Sequence, residues 1–346
     1  MKKAIALISG GLDSMLAART IQAQGIHVEG INFYTGFCIE AHTHAIRNRE
    51  PTKLKRHNAL WVAEQLGIKL HIIDIIQEYK SIVLNPKHGY GAHLNPCLDC
   101  KIFMVHKAKQ WMDEHQFDFI ITGEVIGQRP KSQLKRNMPL VARESKTDDI
   151  LLRPLCAKLL APTLAERKEW VDREKLHAFS GRSRNPQFDL AKQFDLKDYA
   201  QPAGGCCFLT NAHYSKKLKD LWKHRGKRDY EFDDIVLLKV GRHIRPDADF
   251  KLIIGRNEGE NHFLESYRSQ FTSIKPISHL GPFTLMDGKI TPASIRQAAQ
   301  IAARFSDAKP DDIVTLEINT QNNPLSTLSV PPFTADQIHK EWYISA

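Results

Sequence analysis

The chain has 346 residues, long for one domain and comfortable for two, and its apolar and charged fractions (42% and 25%) are those of an ordinary soluble protein. No apolar run approaches the length of a membrane span, which excludes a helical membrane protein, while the formal net charge of +10 suits a polyanionic partner. Six unevenly spaced cysteines do not form a secreted disulfide framework, and Met1-Lys2-Lys3 leads directly into the first strand, so a reducing cytoplasm without a signal peptide is expected.

Ala4 to Ile8 is a short apolar run with β-branched members, the pattern of a buried strand. Ser9-Gly10-Gly11-Leu12-Asp13-Ser14 breaks it, and Leu12, Leu16, Ala17 and Ile21 then recur at helical spacing. The break is a tight strand-to-helix turn. Its glycines let the backbone approach a ligand, and the N–H groups of the first helical turn favour an anion. Ser9 and Ser14 can add hydroxyl donors, and Asp13 can hold a divalent cation. The plain alternative is a Gly-Gly turn beside an ordinary helix cap.

Residues His27 to Phe33 form a second strand candidate, followed by a long connection with Cys38, His42 and His44 that reads as polar loop, since no fourth metal ligand lies at useful spacing. A helix spans about Leu54 to Leu66, ended by Gly67, and Lys69 to Ile75 is a third strand. The glycine-rich stretch from Lys87 to Lys101 precedes a helix over Ile102–His115, with Cys97 and Cys100 at or just before its start, where helix-terminal N–H groups favour a thiolate. Phe117 to Thr122 is a fourth strand, and Gly123, Glu124, Gln128 and Arg129 follow it. Leu151 to Leu155 is a fifth, ended by proline, with Arg153 inside it and Lys158 just beyond. This alternation predicts a parallel sheet with helices on both faces and ligands beyond the carboxyl ends of the strands.

Residues 166–200 read as polar and helical in pieces, interrupted by Gly181-Arg-Ser-Arg184. Gly204-Gly-Cys-Cys207 is a second glycine turn presenting cysteines. Lys216 to Arg228 carries seven Lys and Arg, a dense basic stretch suited to a phosphate backbone, against the alternative of a solvated helix face. From about Tyr230 the character changes. Ile235–Val240, Phe250–Ile254, Phe283–Leu285 and Val314–Ile318 are strand candidates, Gln297–Arg304 is a short helix, and the tail after Asn322 reads as loosely held. The division expected is 1–180, a linker over 181–229 with the cysteine loop and basic helix, and a small α+β domain over 230–346, a candidate RNA-binding domain.

Cysteines at Cys-x-x-Cys spacing can be a redox dithiol, half a zinc site or part of an iron–sulfur site. With a third from Gly-Gly-Cys-Cys, three thiolates can hold a [4Fe–4S] cluster with one open iron; alternatively one cysteine carries a persulfide that another resolves. Cys97, Cys100 and Cys206 are the candidates, Cys206 being chosen over Cys207 because it directly follows the glycines. Cys156 and Cys38 read as structural.

Ser9 to Ser14, Asn95-Pro-Cys-Leu-Asp-Cys100, Thr122-Gly-Glu124 and Gly205-Cys206 together resemble the tRNA-thiolating branch of the pyrophosphatase-loop ATPases. The resemblance covers about residues 1–225 and is nearest the adenylating domain of tRNA 4-thiouridine synthase in a short form; the tRNA wobble 2-thiouridylase is similar too. The position matching Cys97 is commonly Asp in the 2-thiouridylases, so three cysteines point toward a cluster-dependent form. The RNA-binding extension that precedes the ATP domain in longer synthases, and the sulfur-supplying rhodanese domain of some, are not expected here.

The resemblance implies a HUP-like α/β domain followed by a smaller α+β domain, ATP with Mg²⁺, and a tRNA partner. It also implies a separate sulfur donor such as a cysteine desulfurase or free sulfide, with homodimerisation left open. In the reaction it implies, ATP lies over Ser9, Gly10, Gly11 and Ser14, and Asp13 helps hold magnesium. A uridine oxygen attacks the α-phosphate, and sulfur from a cluster or persulfide displaces AMP, giving 4-thiouridine, or 2-thiouridine in the alternative. Lys158 and Arg153 would offset phosphoryl charge, while Gly123, Glu124, Gln128 and Arg129 would line the pocket; Asp13, Cys100, Cys206 and Lys158 would be the catalytic set. The rivals are a small-molecule ligase or amidotransferase of the same fold, a non-catalytic RNA-binding protein, and a sulfur carrier or zinc protein.

Overall fold

The computed structural model describes residues 1–39, 57–199, 207–321 and 325–345. They fall into two compact units. The first comprises Met1–Thr35 and the described residues from 57 to 199; the second comprises 36–39 and the described residues from Cys207 on. Residues 181–199 fall in the first unit and 207–229 in the second.

In the first unit β1 (Lys3–Leu7) leads into α1 (Leu12–Gln22), β2 (His27–Tyr34), α2 (Asn58–Leu66), β3 (Leu70–Asp74) and α3 (Ile76–Leu84). Then come α4 (Cys97–Glu114), β4 (Phe119–Ile121), α5 (Met138–Glu144), β5 (Leu151–Leu152), α6 (Leu164–Arg167) and α7 (Asn185–Gln193). The strands form one parallel sheet in the order β3-β2-β1-β4-β5. Period-two alternation along β1 splits the core. Ala4 and Ala6 face a cluster with α1, α2 and α7, while Ile5 faces Ile31, Ile120, Val105 and Val141 on the other side. The expected three-layer α/β domain is present. Gly67 closes α2 in the left-handed conformation, as its position predicts.

Differences from the sequence reading are local. The helix expected from Ile102 begins at Cys97, with Pro96 as its N-cap, so both cysteines sit in its first turn. The strand expected over Leu151–Leu155 is two residues long, because Arg153 turns inward to an ion pair and Pro154 stops the ladder. Helices α3 and α5 have no counterpart among the expected elements.

The second unit carries α8 (Ala212–His224), α9 (Phe232–Leu237), β6 (Arg242–Asp247), β7 (Phe250–Ile254), α10 (Glu258–Glu265) and β8 (Thr272–Pro276). It continues with β9 (Thr284–Gly288), α11 (Pro292–Arg304), β10 (Val314–Asn319) and β11 (Ser326–Val330). Its sheet is antiparallel, in the order β11-β10-β8-β9-β7-β6. The apolar face of α11 (Ala298, Ala299, Ile301, Ala302) packs on one side with Leu252 and Leu316, and Leu237, Leu264 and Leu285 fill the other.

Two expectations are corrected here. Ile235–Val240 is not a strand: Glu231 and Asp234 form a reciprocal capping box that starts α9, and three acidic residues at its beginning complement the helix dipole. The tail is not loose throughout, since β11 pairs with β10 over five residues and Pro331-Pro332 ends the strand rather than preventing it. No helix among the described residues is long and apolar enough to cross a membrane.

Candidate functional site

At the carboxyl end of β1 the chain turns through Gly10, whose φ of +78° is left-handed. A β-carbon there would lie 2.7 Å from Asn58 Cβ and 2.9 Å from Ala59 N, so the turn is pressed against the start of α2 and requires glycine. Gly11 is the N-cap of α1 and, having no side chain, supplies no cap to the helix's leading N–H groups. Ser14 is buried and donates to Gly11 O at 2.8 Å, while Ser9 N donates to Ser14 Oγ at 3.3 Å. The Ser14 hydroxyl therefore shapes the turn; Ser9 is the exposed hydroxyl.

Gly123 follows β4 and lies directly on this turn. A β-carbon at Gly123 would fall 2.4 Å from the Asp13 carbonyl and 2.5 Å from Ser14 N. From the same loop Gln128 Nε2 donates to Asp13 Oδ2 at 2.6 Å, and Arg184 donates to Asp13 Oδ1 at 3.3 Å. Gln187 Nε2 in turn donates to Gln128 Oε1 at 2.7 Å. Arg184 and Gln187 belong to this constellation and lie outside the residues singled out from the sequence. Arg184 carries a visible signal in Gly181-Arg-Ser-Arg184, but Gln187 sits unmarked in a polar helix. Arg184 Nε and Gln187 Oε1 are buried without a hydrogen-bond partner among the described residues; the first is a donor that a phosphate oxygen can satisfy, the second an acceptor that a hydroxyl or water can satisfy.

Uncapped helix N–H groups, a glycine cradle, a guanidinium and one carboxylate fit a nucleoside triphosphate with magnesium, which is commonly bound through one or two carboxylates and the phosphates. Arg129 is exposed, its backbone N–H donating to Gln133 Oε1 at 3.1 Å.

Glu124, expected to line the pocket, and Arg153, expected to offset phosphoryl charge, are paired with each other. Arg153 Nε meets Glu124 Oε2 at 3.0 Å with both side chains buried, and Thr122 donates to the same oxygen at 2.9 Å. Burial alone would raise the Glu124 pKa, but Lys101 and Arg153, with the Thr122 and Arg153 hydrogen bonds, hold it below the ordinary value. This pair braces the floor of the loop from inside. Cys156 lies beneath it, donating to Glu124 O at 3.3 Å; burial pushes its thiol up to about 12, as befits a structural cysteine. Lys158 pairs with Glu174 at 2.9 Å, and its backbone N–H donates to His177 O, placing it with the 173–177 segment.

Cys97 opens α4 and its Sγ lies 3.3 Å from Ser132 Oγ; Cys100 Sγ lies 3.9 Å from Met104 Sδ. Between them Asp99 turns back and accepts the His88 N–H at 3.0 Å, tying the glycine-rich loop to the helix start. Cys206 is outside the described residues, as are His42 and His44. Among the described residues no group of three His, Cys, Asp or Glu is placed to hold a metal ion. With the third candidate ligand, Cys206, outside the described residues, no step is routed through iron.

In the second unit the basic stretch divides. Lys217 is buried, donating to Leu238 O at 3.2 Å and Gly241 O at 3.3 Å, and burial, with the cations Arg256 and Lys251 and against the opposing pull of Glu260, lowers its pKa to about 8. Arg225 pairs with Asp234, Lys227 with Asp229, and Arg228 lies over Trp222. Lys216, Lys219 and Lys223 are exposed on α8. Of the seven Lys and Arg in the basic stretch, Lys217 is turned inward and anchors the helix.

Residues 2–162 match the family model of the tRNA methyl transferase HUP domain, and residues 241–343 match that of the NFACT protein RNA binding domain. The chain is 28% identical over 278 residues to the tRNA-specific 2-thiouridylase MnmA of Mesoplasma florum, covering 75% of this chain and 68% of that protein. It is 26% identical over 274 residues to that of Pelobacter propionicus, covering 75% and 67%. Among solved structures, a 4-thiouridine synthetase–RNA complex with bound ATP matches 56% of this chain and 50% of its own at 20% identity, with a TM-score of 0.33.

Proposed function

We propose that this chain is an ATP-dependent tRNA sulfurtransferase that converts a uridine carbonyl to a thiocarbonyl, with C2 favoured over C4. The C2 preference rests on the relatives, whose names specify 2-thiouridylation; it replaces the 4-thiouridine product favoured from the sequence. The observation that carries the reading is the loop over residues 122–133. It touches the phosphate-type turn through Gly123 and Gln128 and touches a thiol through Ser132 and Cys97. A loop joining an anion cradle to a cysteine suits a reaction that activates with ATP and then transfers sulfur.

In the first step the uridine oxygen attacks the α-phosphorus of ATP and pyrophosphate leaves, assisted by the α1 N–H groups and Arg184. Magnesium, when bound, neutralises phosphate charge, and Asp13 is the carboxylate that would hold it. In the second step the terminal sulfur of a cysteine persulfide attacks the activated carbon. AMP departs with the former carbonyl oxygen. A second cysteine thiolate then attacks the carrier sulfur, which breaks the S–S bond, leaves sulfur on the base and forms a disulfide. An external thiol must reduce that disulfide. The cysteines for this exchange are drawn from Cys97, Cys100 and Cys206, and a separate donor loads the persulfide. The +10 charge and the match of residues 241–343 to an RNA-binding family support a tRNA substrate.

Nucleoside analysis of tRNA from cells lacking the gene tests the reading. Loss of a 2-thiouridine derivative supports it, loss of 4-thiouridine moves the product to C4, and an unchanged thionucleoside profile overturns it. In vitro, Asp13→Ala should abolish tRNA-dependent ATP–pyrophosphate exchange, whereas Cys100→Ala should block thiolation and spare exchange.

A further inference from the structure

Cys38 and Cys207 lie directly opposite each other in an isolated antiparallel bridge within the second unit. Phe208 N donates to Phe37 O at 2.9 Å, one residue outside the pair on each side, which makes this a non-hydrogen-bonded position of the ladder. Such pairs bring the two Cα atoms to about 4.5 Å with their side chains on one face. That separation lies inside the range a disulfide spans.

The bridge is held from several sides. Phe37 is buried, with its ring edge-on to Tyr214 at 6.1 Å and to Tyr230 at 5.7 Å. Phe208 stacks obliquely on Tyr214 at 5.4 Å. The Lys239 ammonium donates to Gly36 O at 2.5 Å, sits 5.1 Å from the Phe208 ring and interacts electrostatically with Cys38.

We propose that Cys38 and Cys207 are a cross-strand thiol pair that closes reversibly to a disulfide, an oxidation site distinct from the cysteines at the start of α4. With a low-molecular-weight disulfide as oxidant, the Cys38 thiolate attacks the disulfide and expels one thiolate, giving a mixed disulfide. The Cys207 thiolate then attacks the Cys38 sulfur, the second small thiolate leaves, and the protein disulfide remains. Two protein thiols are oxidised and one small disulfide is reduced to two thiols. The chain passes from the first unit to the second between Thr35 and Gly36, and it resumes in the second unit at Cys207. The disulfide therefore clasps the two passages of chain at which the second unit begins. It also withdraws the cysteine adjacent to Cys206 from the thiol pool. This holds whether or not the proposed thiolation activity is correct.

The test uses the full chain, fully reduced, incubated with excess oxidised glutathione, then quenched with N-ethylmaleimide at low pH and mapped by non-reducing peptide mass spectrometry. The expected product is one cross-linked species joining the Cys38 and Cys207 peptides. It should be lost in Cys38→Ser, retained in Cys97→Ser/Cys100→Ser, and reversed by dithiothreitol. Recovery of Cys38 and Cys207 as separate alkylated or glutathionylated peptides, or linkage of Cys207 to Cys206 or to an α4 cysteine in its place, overturns the proposal.

Discussion

The Gln128 side-chain amide donates to Asp13 Oδ2 at 2.6 Å, joining the loop after β4 to the first turn of α1. Arg184 holds the other carboxylate oxygen at 3.3 Å, and Gln187 holds Gln128. Asp13 is thus held by two side chains, one of them steadied by a third, none of them near it in the chain.

Removing this orientation should weaken nucleotide chemistry without unfolding the protein. A hydrogen bond to a charged group is worth about 1.5–3 kcal/mol, so Gln128→Ala should lower ATP–pyrophosphate exchange by about tenfold or more. Gln128→Glu, which sets a second carboxylate against Asp13, should lower it further. Exchange unchanged in both variants would remove Gln128 from the site.

Gly123 should not tolerate even a methyl group. Its β-carbon would meet backbone atoms of Asp13 and Ser14 at 2.4–2.5 Å, and backbone cannot rotate away as a side chain can. Gly123→Ala should cost about 1–3 kcal/mol, read as a lowered urea midpoint, together with weaker ATP binding by calorimetry. Wild-type stability in this variant would contradict the close approach.

The Glu124–Arg153 pair predicts acid sensitivity. Glu124 has its folded pKa depressed below 4.5, so its contribution is complete above that value and is lost as pH falls through the lower, folded value. Glu124→Gln should leave Arg153 buried without its counter-ion, costing about 3–5 kcal/mol at neutral pH, and should flatten the acid limb of the stability profile. Equilibrium denaturation at several pH values measures both.

Lys217 predicts the opposite limb. Its pKa falls from 10.5 to about 8 on folding, so between those values the unfolded chain binds more protons and stability rises with pH. Lys217→Met should flatten the rise attributable to this residue over that window. An unaltered slope, measured by thermal melts, would show that Lys217 is not the titrating group; Lys239, also lowered to about 8, is the comparison.

For RNA, Lys219→Glu and Lys223→Glu should weaken tRNA binding and reduce the dependence of log K on log salt by about one unit for each phosphate no longer engaged. Lys217→Met should leave that slope unchanged, because its ammonium is turned inward. Equal salt slopes in wild type and the two surface variants would place the RNA-binding surface elsewhere.

Much of this is legible in the letters. Strand-forming runs alternating with helical spacing require a parallel sheet, and a glycine turn immediately after β1 marks an anion cradle, because both are local consequences of side-chain period and backbone freedom. The strand expected where α9 stands shows the limit of that reasoning. Ile235 to Val240 is apolar enough for a strand, and the competing helix signal lies upstream, in Glu231 and Asp234.

Only the tertiary structure decided what each polar side chain faces. Glu124 follows one strand and Arg153 lies in the next, and the fold pairs them with both side chains buried, since a charge that leaves water must find its partner there. Lys217 is one more cation in a basic run until the fold wraps two carbonyls around it. Arg184 and Gln187 reach Asp13 and Gln128 across long sequence separations, and Cys38 meets Cys207 from the far side of the first unit's sequence. Local pattern sets the elements because their hydrogen bonds and periods are short-range. The pairing of charges and thiols between distant segments is a property of packing, and the sequence carries no periodic trace of it.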